Sequence, residues 1–331
     1  MRITFLGSGA WASALAHALS KKADNEILMY GNCQPEIDDI NQNHRNSKYF
    51  DDVELDHQIS ATTDPVYALK GRDALVLAVP SKAIQSIVEL IEAHCDTKPL
   101  LINVIKGFDP ETGVGITSLV QSSIGDKVSG VVSLVGPSFA YDVIHDDPTA
   151  ICAVSSDKAS AIQVQNMFSS SCFRVYVQSD VVGAEIGAGM KNIIAIASGI
   201  MEGLGYKDNA RAALITRGLA EITRFGLTQG AKAETFLGLT GVGDLVLTCS
   251  SRRSRNYTLG LAIGQADEAS SVLAANQKTV EGVIAAKTIY EFSKRIPVDT
   301  PIVDAVYRVL YEGEKPSSEV YELMGRALKA E

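Results

Sequence analysis

Histidine is missing from the whole chain beyond residue 145; all five, His17, His44, His57, His94 and His145, lie before that point. Proton chemistry housed in the second half must therefore use another acid or base. Cysteine offers no framework either. The five (33, 95, 152, 172 and 249) are odd in number and scattered, without C-x-x-C spacing, so neither disulfides nor a zinc site is implied and no metal is expected. Positive charge is in deficit: the formal net charge of −9 argues against general attraction to nucleic acid or to an anionic membrane. Any anionic ligand must be held by local cations. An uninterrupted apolar run is lacking too, because the longest, around residues 186–201, contains Lys191 and several glycines, which predicts a buried helix and no integral membrane segment. At the N-terminus no basic region leads into an apolar stretch and a small-residue cleavage site, so no signal peptide is expected and a reducing cytoplasm fits best. Internal repeats and low-complexity segments are absent.

What is present is enough for a large core: 331 residues, 46% hydrophobic and 21% charged, a length that suggests about two domains. The stretch that organises the rest is MRITFLGSGAWASALAHAL, residues 1–19. Ile3, Phe5 and Leu6 read as a short strand that breaks at Gly7-Ser8-Gly9, after which Trp11, Leu15, Ala18 and Leu19 recur at helical spacing. In a strand–glycine turn–helix unit, Gly7 allows the tight turn, Gly9 lets backbone approach a pyrophosphate, and the small Ala12 lets helix and strand pack closely. The first N–H groups of the helix then face an anion. A tight turn without a ligand would read the same; the position of this G-x-G-x-x-A at the head of further strand and helix signals favours dinucleotide binding.

Residues 26–30 (EILMY) read as a second strand ending in Gly31-Asn32-Cys33. An acid there would bond the ribose hydroxyls of NAD and a cation would accept the 2′-phosphate of NADP; Asn32 is neither, which leaves the choice open. His44 and Arg45 are either phosphate partners or solvated loop charges. Residues 74–79, 99–105 and 131–135 are continuous apolar strands of the kind buried on both faces of a parallel sheet, with Ser81 as the expected N-cap of a helix through Ile91. Two more strands, 149–154 and 173–177, flank a helix over about 157–168. Glycine-containing or polar loops follow these strands at the end where open α/β sheets bind ligands. Lys106 is either a ligand cation or an exposed turn lysine, and Gly136-Pro137-Ser138 either part of the crevice or a chain reversal. The predicted fold is α/β: a doubly wound Rossmann-type domain over 1–180 and an all-helical substrate domain over 181–331.

In the second half, the helix predicted over 182–204 is apolar on nearly every side, with Ile186, Met190, Ile193, Ile194, Ile196 and Ile200, yet carries Lys191-Asn192. A buried ammonium loses hydration, which lowers a lysine's pKa and makes it a usable proton donor and acceptor near neutrality. The plainer alternative is a lysine that snorkels outward or pairs with Glu185 or Glu202. A second, amphipathic helix is predicted over 209–227. Gly241-Val242-Gly243-Asp244 then places an acid ahead of an apolar turn ending in Thr248, and SRRSRN at 251–256 sets three arginines in four positions, suited to phosphate or to a solvated surface. Further helices are predicted over about 257–275, 281–294, 301–311 and 317–328.

Assembled, the chain resembles bacterial NAD(P)-dependent sn-glycerol-3-phosphate dehydrogenases over almost its full length. The resemblance rests on GSGAWASALA at 7–16, VPS at 79–81, KGFDPETG at 106–113, GPSFA at 136–140, FRVY at 173–176, KNIIAIASGI at 191–200, NARAALITRGLAE at 209–221, GVGDLVLTC at 241–249, SRN at 254–256 and VEG at 280–282. It implies that Lys191 exchanges the proton of the substrate's secondary alcohol, with Asp244 orienting it. It implies further that Lys106, Gly136, Ser138, Asn192, Asp244, Thr248, Ser254, Arg255 and Asn256 surround glycerol phosphate. Toward NAD(P)H it implies Trp11, Lys106, Ala140, Arg255 and Glu281, which join Gly7, Gly9 and Ala10 of the glycine turn and Asn32 after the second strand as the candidate cofactor contacts. The reaction implied is reversible hydride transfer between NAD(P)H and dihydroxyacetone phosphate, feeding glycerophospholipid synthesis, in a homodimer without nucleic-acid or membrane partners. This chain departs from the family pattern at Asn32-Cys33, where His or Arg is common, at Tyr141-Asp142, and at Ala10 and Ala12, both still small. The alternatives are a 2-hydroxyacid or sugar-acid dehydrogenase of the same plan, and a non-catalytic dinucleotide sensor.

Overall fold

Alternate residues of the apolar strands go to opposite faces of one sheet, and each face has its own core. Ile3, Phe5, Val76, Ile102 and Val132 pack with Leu15 and Leu19 on one side. Leu6, Leu75, Leu77, Leu101 and Val131 pack with Ile84, Ile87, Ile91 and Val120 on the other. Continuous apolar runs are therefore what a doubly covered sheet requires. The structure, a computed structural model, describes residues 1–22, 25–109, 112–328 and 330; Pro110 and Glu111 of the 106–113 motif lie outside the described residues. The chain divides into two units, Met1–Asp109 with Ile116–Val181, and Val182–Glu331 with the short segment ending at Gly115.

The first unit holds strands β1 (Arg2–Leu6), β2 (Glu26–Tyr30), β3 (Ile59–Thr62), β4 (Ala74–Leu77), β5 (Leu100–Asn103), β6 (Gly130–Val135), β7 (Thr149–Val154) and β8 (Phe173–Gln178). Their order is β3-β2-β1-β4-β5-β6-β7-β8. Neighbours run parallel except β6 and β7. Leu6 stands opposite Tyr30 on one side and Leu77 on the other, so the strand order reverses at the carboxyl end of β1, where such sheets bind ligands. Helices α1 (Ala10–Ser20), α2 (Gln34–Asp38), α3 (Pro65–Leu69), α4 (Ile84–His94), α5 (Ile116–Ile124), α6 (Ala140–Ile144) and α7 (Lys158–Phe168) complete the unit. The Asp157 carboxylate caps α7 by accepting from the backbone N–H groups of Ala159 and Ser160.

The structure departs from the sequence-based expectation at several elements. Strand β3 has no counterpart among the predicted strands; it is four residues long at the sheet edge, half polar, and only Ile59 and Ala61 are buried. Ser81 is not the cap of α4. The Ala83 N–H closes a tight bond to the Pro80 carbonyl at 2.9 Å, which makes Ser81–Ala83 a 3-10 turn that leads into the helix.

The second unit consists of α8 (Val181–Gly203), α9 (Asp208–Thr228), α10 (Ala233–Phe236), α11 (Asp244–Ser250), α12 (Arg255–Ala266), α13 (Ser270–Ala275), α14 (Glu281–Ser293), α15 (Pro301–Tyr307) and α16 (Pro316–Met324). The single helix expected over 257–275 is two, because Asp267 turns left-handed at φ 50° and ends α12. α8 meets the length and hydropathy of a membrane span, but 83% of its most apolar window is buried. Its glycines explain how it packs. A Cβ on Gly199 or Gly203 would strike the carbonyls of Tyr257 or Leu261, and one on Gly260 or Gly264 those of Ile196 or Ile200, so α8 and α12 touch backbone to backbone.

Candidate active site

In the first unit the glycine turn forms because the Gly7 N–H reaches back to the Tyr30 carbonyl, 2.8 Å away. Gly7 sits at φ +131°, and a Cβ there would lie 2.4 Å from the Ala78 oxygen, so only glycine fits. Gly9 has nothing within 4 Å of its would-be Cβ, and α1 starts after it with neither a side-chain cap nor an acid in its first turn. The leading N–H groups of such a helix have no partner within the helix, and here no side chain caps them, which leaves them available to an anion. The buried Trp11 Nε1 has no hydrogen-bond partner. The cradle and this unpaired donor fit a dinucleotide pyrophosphate at the turn.

Two strands along, the loops after β5 and β6 meet. Lys106 donates from Nζ to the Gly136 carbonyl at 2.9 Å, and Ser138 Oγ donates to the same oxygen at 3.1 Å. Gly136 is at φ +152° with Ile151 against its Cβ position. Lys106 is thus a half-buried lysine turned onto the GPS loop, and that loop is both a chain reversal and its anchor. Ala140 opens the five-residue α6, and Asn32 is exposed. Of the two phosphate candidates, Arg45 donates to the Asp51 carbonyl and His44 packs edge-on against His57.

In the second unit Lys191 is 4% exposed, and its Nζ lies 2.5 Å from Asp244 Oδ1. Asp244 starts α11, one turn before Thr248, and both side chains meet the amine. Thr248 Oγ1 accepts from Lys191 Nζ at 3.0 Å and donates to the Asp244 carbonyl at 2.6 Å. Burial pushes the adjacent Cys249 thiol up, so no thiolate competes for the proton. A second chain of bonds runs from the next residue of α8. Asn256 Nδ2 donates to Asn192 Oδ1, and Asn256 Oδ1 accepts from the Gly282 N–H at the head of α14, each at 2.9 Å, beside Glu281. Ser254 caps α12 by accepting from the Tyr257 N–H. Arg255, the first residue of α12, is exposed and has no ion-pair partner among the described residues.

Similarity to known proteins follows the same two units. Residues 2–161 match the NAD-dependent glycerol-3-phosphate dehydrogenase N-terminus, and residues 180–321 match its C-terminus. The chain belongs to the NAD-dependent glycerol-3-phosphate dehydrogenase family. It is 45% identical over 329 residues to the glycerol-3-phosphate dehydrogenase [NAD(P)+] of Bacillus pumilus, covering 98% of this chain and 94% of that one. It is 40% identical over 331 residues to the same-named protein of Staphylococcus haemolyticus, covering 100% and 99%. The crystal structure of glycerol-3-phosphate dehydrogenase from Coxiella burnetii superposes with a TM-score of 0.92 at 31% identity, over 98% of this chain and 99% of that one. The protein is thus an NAD(P)-dependent oxidoreductase of the glycerol-3-phosphate dehydrogenase family. Three residues that sequence reasoning missed stand out: Ser8, Glu36 and Lys48, linked at the end of β2. Glu36 follows Pro35 in the first turn of α2, and that helix start was the available signal.

Proposed function

We propose that this protein reversibly reduces dihydroxyacetone phosphate to sn-glycerol 3-phosphate, feeding glycerophospholipid synthesis, with Lys191 as the group that exchanges the proton. The observation that carries the assignment of Lys191 is the buried Lys191–Asp244–Thr248 cluster in a chain with no histidine beyond residue 145. The dinucleotide, when bound, supplies the hydride; the backbone of Gly7, Gly9 and Ala10 would hold it, with Trp11, Asn32, Lys106, Ala140, Arg255 and Glu281 as further contacts.

As negative charge grows on the substrate's carbonyl oxygen, the Lys191 ammonium stabilises it and passes it a proton, leaving a neutral amine beside the Asp244 carboxylate. In the reverse direction the amine takes the alcohol's proton. Asp244 and Thr248 fix the amine's direction from two sides, so the proton is delivered to one place. Arg255, without an ion-pair partner among the described residues, and the N–H groups at the start of α12 take the phosphate, with Ser254 and Asn256 holding that helix start in position. Lys106, Gly136, Ser138 and Asn192 complete the substrate contacts. The reading includes a homodimer in the cytoplasm; the five free cysteines support a reducing compartment, and the exposed apolar Leu227 and Leu237 support self-association.

The test is oxidation of NADH or NADPH followed at 340 nm with dihydroxyacetone phosphate, with 2-keto acids as controls and sedimentation velocity for the dimer. Turnover with dihydroxyacetone phosphate alone supports the reading; turnover only with a 2-keto acid, or none, refutes it.

A further inference from the structure

The three linked residues at the end of β2 bear on a choice that the family name leaves open, NADH or NADPH. β2 lies beside β1, and its carboxyl end adjoins the glycine turn. In this fold the adenosine ribose of a dinucleotide rests against that end, and what stands there sets the preference for a 2′-hydroxyl or a 2′-phosphate. The structure has a pocket of ≈ 470 Å³ at this place, with Cys33, Glu36, Asp39, Asn43, Ser47 and Lys48 among the residues on its walls. Its ionisable groups include three carboxylates, Glu36, Asp38 and Asp39, against a single ammonium, Lys48.

The carboxylate of Glu36 is held rather than loose. Its side chain is 9% exposed; Oε2 accepts from Ser8 Oγ of the glycine turn at 3.2 Å, and Oε1 pairs with Lys48 Nζ at 2.5 Å. Gly31 keeps this bond open, because a Cβ there would lie 2.3 Å from Ser8 Oγ. Asp39 is held as firmly. It accepts from the Ser47 N–H and from Asn43 Nδ2, each of which holds its carboxyl below the usual range, so it stays charged near neutrality. The one cation is already spent on Glu36, and Arg45 is turned to the Asp51 carbonyl.

We infer that this pocket receives the adenosine ribose and that Glu36, buttressed by Ser8 and Lys48, makes the protein prefer NADH over NADPH. A fixed carboxylate accepts hydrogen bonds from the vicinal 2′- and 3′-hydroxyls. A 2′-phosphate dianion would instead meet that carboxylate and Asp39, and would have to share Lys48 with Glu36. The inference rests on the dehydrogenase reading for the identity of the ligand, but its decisive measurement does not need turnover.

Calorimetric titration of the whole protein with ADP-ribose and with its 2′-phosphate reads the preference directly. ADP-ribose should bind at least about tenfold more tightly. Glu36→Gln, which keeps the shape but not the charge, should narrow that ratio at least about fivefold, mainly by tightening binding of the 2′-phosphate. The ratio of kcat/KM for NADH and NADPH should move in parallel. Equal or tighter binding of the 2′-phosphate by the unaltered protein overturns the inference, as does an unchanged ratio in Glu36→Gln. So does a Lys48→Ala variant that selectively loses the 2′-phosphate, because Lys48 would then be its ligand. Absence of turnover with both coenzymes and dihydroxyacetone phosphate would count against the dehydrogenase reading and leave the binding ratio to decide this one.

Discussion

Consider Lys191→Met, which replaces the amine by an apolar chain of similar length. Asp244 is 1% exposed, so the substitution leaves a carboxylate sealed from water without its cation. Removing one partner of a buried pair costs about 3–5 kcal/mol, and Asp244→Val should cost about the same through the orphaned ammonium. The double variant removes both charges. Thr248 does not suffer, because its hydroxyl still donates to the backbone carbonyl of residue 244, 2.6 Å away. Stability should therefore return to within about 2 kcal/mol of the parent. At roughly 2–4 °C per kcal/mol for a unit of this size, each single variant should melt roughly 6–20 °C lower. Thermal melts followed by far-UV circular dichroism read this out, and turnover is measured alongside. Lys191→Met and the double variant should both lose about 10²–10⁴ in kcat, with coenzyme affinity retained. A double variant as unstable as the singles would make the pair a structural element. Normal turnover in Lys191→Met would remove its assigned role altogether.

Arg255→Ala should raise KM for dihydroxyacetone phosphate by about tenfold or more with kcat changed far less, since the guanidinium is exposed and has no ion-pair partner among the described residues; an unchanged KM refutes phosphate contact. Gly7→Ala should lose coenzyme binding measured by calorimetry, because at φ +131° its methyl would sit 2.4 Å from the Ala78 oxygen; unimpaired binding would refute the turn's role. Glu221, buried in α9, accepts from the N–H groups of Ile302 and Val303, and burial pushes its carboxyl from 4.5 up to about 7. The folded state therefore holds this proton longer than the unfolded chain. The stability this proton contributes is complete below pH 4.5 and is lost as pH rises through 7, a fall of about 3 kcal/mol. Denaturation of the parent and of Glu221→Gln at pH 5 and pH 8 should show the difference between them moving in favour of Glu221→Gln at the higher pH; a constant difference refutes it.

The residues differed in how much of this was legible beforehand. Buried parallel strands are apolar without interruption, so β4, β5 and β6 declare themselves within one or two residues of their ends. The edge strand β3 buries only one face and carries no such signal. The glycine turn was readable because a positive φ and a close approach to Ala78 admit one residue type. Lys191 was conspicuous for a related reason: an ammonium in an apolar helix needs a partner. The helix pattern alone left Glu185 and Glu202 open as partners, and only the family resemblance pointed to Asp244.

By itself the sequence determined the order of elements, the turn that receives an anion, and the presence of a buried amine in a half without histidine. Neither spacing nor periodicity pairs the amine with Asp244, 53 positions further along; the family resemblance pointed to that acid, and the tertiary structure supplies the contact, 2.5 Å from Nζ to Oδ1. Tertiary structure alone decided that Asn256 joins Asn192 to the head of α14, and that Ser8, Glu36 and Lys48 meet at the end of β2. The division has a physical basis. Periodicity and backbone sterics act between residues a few positions apart and leave a local trace. Charge pairing acts through space, and the chain separation it spans is set by how helices and strands pack.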